Sequence, residues 1–129
     1  MPDLFTPPYP LVPDVVIDIS GQLDTIVAML ACHKSQVFEF LPVNFGVAAQ
    51  VPDSEAERRD WLREWYKDFI RPRADRFREA LIKQYGDSRG NQVEWAEAFE
   101  ISEYAAPLED EARGRLFEFL YEPDDSRDK

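Results

Sequence analysis

Residues Asp14 to Pro42, DVVIDISGQLDTIVAMLACHKSQVFEFLP, place two incompatible periodicities side by side. Val15, Ile17 and Ile19 point one way and Val16, Asp18 and Ser20 the other, the period of a strand, and the β-branched enrichment suits a strand covered on at least one face. Leu23, Ile26, Val27, Leu30 and Ala31 then recur with the period of a helix. The chain must therefore turn from strand to helix at Ser20-Gly21. Ser20 is placed to cap the helix, and Asp24 falls in its first turn, where the helix dipole favours an anion. Val37, Phe38 and Leu41 continue the stripe, so the spacing predicts one helix from Leu23 to Leu41, stopped by Pro42. On that helix Met29, His33, Gln36 and Phe40 share a neighbouring face.

Proline and polarity bound this unit on the N-terminal side. Residues 1–13 hold five of the ten prolines, each lacking an amide donor and restraining its predecessor, which predicts an extended lead-in. After Pro42, residues 43–51 read as an irregular apolar loop. Ser54-Glu55-Ala56-Glu57 has the form of a capping box and opens a long helix. Trp61, Leu62, Trp65, Tyr66, Phe69 and Ile70 keep its period, and Ala74, Phe77, Ala80, Leu81 and Tyr85 resume it beyond Pro72, where a kink or break is expected. Gly86 reads as its left-handed terminator and residues 87–91 as a polar turn. The aromatic stripe has core or partner-facing spacing.

Val93 to about Tyr104 reads as a second strand. A short acidic helix follows, with Leu108, Ala112, Leu116, Phe117 and Leu120 on its apolar face. The polar residues 122–129 cannot pack and are expected to be disordered. The expected organisation is one mixed α/β domain or partial domain over residues 14–121, mostly helical with about two strands.

Composition narrows the function. Apolar residues make up 44% of the 129 and aromatics 13%, enough for a packed core. No apolar run approaches the roughly 20 residues of a membrane span, and the first residues lack the basic and apolar regions of a secretory signal, so a cytoplasmic location is expected. A net charge of −11 repels a phosphate backbone, which argues against nucleic-acid binding. One cysteine, Cys32, excludes an internal disulfide. With a single histidine, His33, it cannot build a thiolate or imidazole zinc cage.

Asp18 and the H-K-S-Q run His33 to Gln36 carry the candidate chemistry. Asp18 can act beside a substrate or accept hydrogen bonds from the turn that follows it. His33, Ser35 and Gln36 can border a site or simply end the helix and tie down the loop. At D-V-V-I-D-I-S, A-x-x-x-C-H-K-S-Q and W-A-E-A-F-E, the chain from Val12 to about Tyr104 resembles the C-terminal part of the PIG-L/LmbE family of zinc-dependent N-deacetylases. The resemblance implies a Rossmann-like fold and hydrolysis of N-acetylglucosaminyl or related amides. It also implies a zinc-bound water, a general base and an oxyanion stabiliser. The family carries its ligands and base in an N-terminal H-P-D-D-E motif and a later histidine motif, neither of which occurs in this sequence. Ile26 stands where many members have lysine. The resemblance thus assigns Asp18, His33, Ser35 and Gln36 to the substrate rim or to support of the site, with no catalytic residue and no metal ligand on this chain.

Two functions from different classes are therefore expected alternatives. In one, the chain is the C-terminal segment of such a deacetylase, inactive alone and completed by an N-terminal half. In the other, it is a non-enzymatic interaction or oligomerisation module using the aromatic helix of residues 54–85. Either implies a partner, a second copy or the missing half, since strand edges and apolar surface would otherwise be left open. A metal-free hydrolase pairing His33 with Asp18 lacks a nucleophile motif, because Ser35 is not in a G-x-S-x-G turn.

Overall fold

Strand β1, Val15–Asp18, pairs antiparallel with β2, Ala96–Phe99, in the computed structural model, which describes residues 10–102 and 104–120. Val15 faces Phe99 and Asp18 faces Ala96 across the ladder. Around this two-stranded sheet run α1 (Leu23–Ala31), α2 (Leu41–Asn44), α3 (Glu55–Arg76), α4 (Arg78–Tyr85), α5 (Asp87–Gln92) and α6 (Asp110–Leu116). The architecture is mixed α/β and mostly helical. Of the expected termini, residues 1–9 and 121–129 lie outside the described residues, as does Glu103 at the expected end of the second strand.

Both sheet faces are covered, as the alternation in the sequence requires. Val16 and Ala96 pack with Ala74, Phe77, Leu81 and Val93 on one side. Ile17, Ile19 and Trp95 join Leu23, Ile70 and Phe69 on the other. The long helix α3 feeds both clusters, and farther toward its N-terminus Leu62 completes a third with Val27 and Val37. Leu62, Ile70 and Leu81 are fully buried. Ile26 packs beside the Ile19 cluster, so its apolar side chain fits an apolar wall.

The single helix expected from Leu23 to Leu41 is instead a bent pair. It breaks after Ala31, and the arms Ser20–Ala31 and Gln36–Asn44 meet at 99°. The bend folds Val37 back onto Val27 and Leu62, burial that a straight helix would spread along its length. Pro42 explains the register that follows. In an α-helix its ring would clash with the carbonyl four residues earlier and it could donate no bond. Gln36–Phe40 takes the wider π geometry, with the Leu41 amide donating to the Gln36 carbonyl, and Pro42 enters the first turn of α2. That position tolerates proline, so Pro42 begins a helix where a stop was expected.

Other boundaries also shifted. Pro72 is accommodated within α3. It is exposed, as is Asp68, the residue whose carbonyl it deprives of a donor; the interruption comes at Phe77, where φ is −104°. The Ser54 hydroxyl makes no capping bond, although α3 starts beside it. Residues 87–91, expected as a turn, belong to the short helix α5, which Gly86 introduces at a φ of 81°. Gly90 lets α5 lie against α4, since a Cβ there would sit 2.5 Å from the Ile82 Cα. The second strand is confined to Ala96–Phe99, and in the last helical segment Leu120 is buried while Leu116 faces solvent.

Candidate functional site

Asp18 ends β1 and organises the turn after it. Its Oδ1 accepts from the Ser20 amide at 3.0 Å and from the Ser20 hydroxyl at 2.6 Å. Ser20 therefore serves the strand end, and the helix cap expected of it is absent; residues Ser20–Gln22 form a 3-10 turn leading into α1. The Asp18 Oδ2 lies 3.9 Å from the Arg89 guanidinium, which stacks 4.4 Å from the centre of the Tyr85 ring. The Asp18 amide in turn donates to the Tyr85 hydroxyl at 3.1 Å. Asp18 thus joins β1 to α4 through its amide and to α5 through its carboxylate.

The outer edge of β1 is closed by side chains from α4. Alternate residues of an antiparallel strand direct their amide and carbonyl away from the partner. Here the Val16 amide donates to the Gln84 Oε1 at 3.3 Å, and the Gln84 Nε2 donates back to the Val16 carbonyl. A glutamine amide carries one acceptor and two donors, so it reproduces the pairing of a neighbouring strand residue. This edge, expected to be open, is satisfied within the chain. Arg78 performs a similar service nearby, donating at 2.7 Å to both the Gly90 and Val93 carbonyls.

His33, Ser35 and Gln36 lie at the opposite end of α1. The His33 amide donates to the Leu30 carbonyl at 2.9 Å, and its own carbonyl accepts from Gln36 and Val37 at 3.0 Å. These backbone bonds make the bend. All three side chains are exposed, and none makes a hydrogen bond with another described residue. Nine helical residues, about 13 Å at 1.5 Å each, separate this bend from the Asp18 turn. The structure therefore divides the sequence candidates into two groups, and a His33 to Asp18 dyad is not assembled. Among the described residues, no group of three or more His, Cys, Asp or Glu side chains is arranged to hold a metal ion.

The bend and the first turn of α1 are each tied to α3 by charge. Lys34 Nζ lies 2.6 Å from Glu55 Oε1, and Arg63 Nε lies 2.6 Å from Asp24 Oδ1. The hydrogen bond from Lys34, followed by its charge, holds the Glu55 carboxyl below its ordinary range. Beside these pairs, the aromatic stripe of α3 stacks on itself. Trp61 and Trp65 have ring centres 5.8 Å apart, and Trp65 and Phe69 5.4 Å. Phe45 covers the ladder edge-on at 5.8 Å from Trp65 and 5.5 Å from Phe69. These rings are half-buried parts of the core, whereas Met29, Phe40 and Val43 remain mostly exposed.

Neither Gln84 as the partner of Val16 nor Tyr85 and Arg89 as partners of Asp18 were identified from sequence. They are more than sixty positions away, and no local pattern marks such pairing. No family model, curated protein or solved structure matches the chain.

Proposed function

We propose that these residues are the C-terminal segment of a PIG-L/LmbE-like, metal-dependent N-acetyl (amide) hydrolase with a Rossmann-like sheet, acting on N-acetylglucosaminyl or related substrates. The observation that carries this reading is the pairing of two of the strings on which the resemblance rests. D-V-V-I-D and A-E-A-F are far apart in sequence, yet they form the two strands of one sheet in register. The pair is antiparallel, and apolar clusters cover both of its faces, as in a mixed α/β unit. The third string, H-K-S-Q, lies at an exposed bend where another part of an enzyme could meet it.

Zinc does not fit the donors present. His33 is exposed and belongs to no described metal-ligating cluster, and a zinc site needs three or four convergent ligands. No catalytic step is therefore assigned to this chain. Its role in this proposal is to frame the site, with His33, Ser35 and Gln36 on the substrate rim and Asp18 securing the strand end behind it. The cytoplasm is the proposed location.

The test joins the chain to an upstream segment bearing H-P-D-D-E and measures zinc-dependent acetate release from N-acetylglucosamine derivatives. The joined protein is expected to be active and the chain alone inactive. Robust metal-dependent release by the chain alone, or a folded joined protein that binds zinc without activity, would overturn the proposal.

A non-enzymatic interaction or oligomerisation module is the second reading. The exposed side chains of Met29, Phe40 and Val43, at 66%, 56% and 66%, favour it, although the aromatic face first assigned to that role is largely occupied within the chain. Sedimentation separates the readings: concentration-dependent self-association supports the module, and a monomer that assembles only with the upstream half supports the enzyme segment.

A further inference from the structure

A cavity of about 430 Å³ opens between the end of α1, the bend and the first turns of α3. Ala28, Ala31, Ala56 and Phe38 supply its apolar walls, and Lys34, Arg58 and Arg59 bring three cations to it. The only carboxylate in its lining is Glu55. This balance is the reverse of the whole chain, whose net charge is −11. We propose that this cavity is a binding site for a small amphipathic carboxylate, its hydrocarbon or ring against the apolar wall and its charged group at the cationic rim.

The cations have different commitments. Arg58 Nε donates to the Pro52 carbonyl at 2.8 Å, and its guanidinium lies 5.7 Å from the Phe38 ring centre, so it is fixed as part of the wall. Lys34 is held by Glu55. Arg59 is exposed and makes no ion pair or hydrogen bond with another described residue. It is thus available to an incoming carboxylate, while Glu55 competes with that group for Lys34. A cavity this size suits a small organic molecule. Its apolar walls favour a carboxylate with a hydrocarbon part over bare phosphate, which carries no apolar surface to bury.

Cys32 also lines the cavity and is the sole cysteine, so thiol labelling reports on this place alone. In the assay, the Cys32 thiolate attacks a sulfur of the reagent disulfide. The reagent S–S bond breaks, a mixed disulfide forms, and the other half leaves as a coloured thiolate. The anionic reagent dithiobis(nitrobenzoate) is compared with neutral dithiodipyridine. Taking their rate ratio, normalised to a small-molecule thiol, cancels changes in intrinsic Cys32 reactivity.

Arg59→Glu is expected to lower the anionic-to-neutral ratio about fivefold, and Glu55→Gln to raise it about twofold, effects of rim charges. Both changes should shrink in high salt. Octanoate should slow labelling by either reagent, and octanol at the same concentration should not. Opposite responses cannot come from a general loss of folding. A ratio that neither substitution moves, or equal protection by octanoate and octanol, would overturn the proposal.

Discussion

The sheet with α4 and α5 and the bend with the start of α3 are stabilised by different means. In the first region, β1's outward backbone groups meet Gln84 and Tyr85, Arg78 takes up two carbonyls, and Leu81 has no exposed surface. In the second, stacked rings lie half-buried beneath Phe45, and the ties to solvent-facing elements are ion pairs such as Lys34 with Glu55. Removing a buried partner strands a desolvated group, whereas an exposed ion pair returns its charges to water. Equal numbers of contacts should therefore have unequal consequences.

The largest contrast comes from the sheet side. Leu81→Ala should destabilise the fold by about 3 kcal/mol through lost burial and a residual cavity, measured by urea unfolding; a loss near zero would break the contrast. Gly90→Ala should cost about 2 kcal/mol because the added methyl meets the α4 backbone, and the amides of α5 should exchange faster with deuterium. Gln84→Leu should cost about 2 kcal/mol by leaving the Val16 amide unmatched and its carbonyl with only the 3.4 Å bond from the Tyr85 hydroxyl, with faster exchange centred on β1.

On the bend side, Phe45→Ala should cost about 1 kcal/mol, since its ring is partly exposed and loses edge contacts with Trp65 and Phe69. Tryptophan fluorescence should change more than the unfolding midpoint. Lys34→Met should have the smallest effect on stability. Lowering of the Glu55 carboxyl in the folded chain means that its contribution is present above the unfolded value and fades as pH falls through the folded one. Carboxyl NMR titration should locate the Glu55 midpoint below the ordinary carboxylate range, and Lys34→Met should move it upward.

Much of the element order is legible from local patterning. Val15 to Ile19 alternate and the two faces enter separate clusters, while α3 begins beside Ser54 and Gly86 takes a positive φ. Local patterning misleads where two local signals compete. The stripe from Leu23 to Leu41 is helical throughout, but Pro42 forbids an unmodified α register and Val37 gains burial by folding back, so a bend results. Pro72 is the converse case, a breaker accommodated at an exposed position. The candidate site was legible only as separate strings: sequence marked Asp18 and His33 to Gln36 without giving the α1 separation between them.

Sequence by itself determined residues that alternate, coil or turn, together with an acidic chain having one histidine and one cysteine, because these follow from side-chain periodicity, backbone preference and count. Only the tertiary structure decided that D-V-V-I-D pairs with A-E-A-F, that Gln84 and Tyr85 meet the outer edge of β1, and that Arg59 and Cys32 share a cavity. These pairings join residues distant along the chain, and they are selected by the joint requirement to bury apolar faces while giving backbone donors and acceptors their partners.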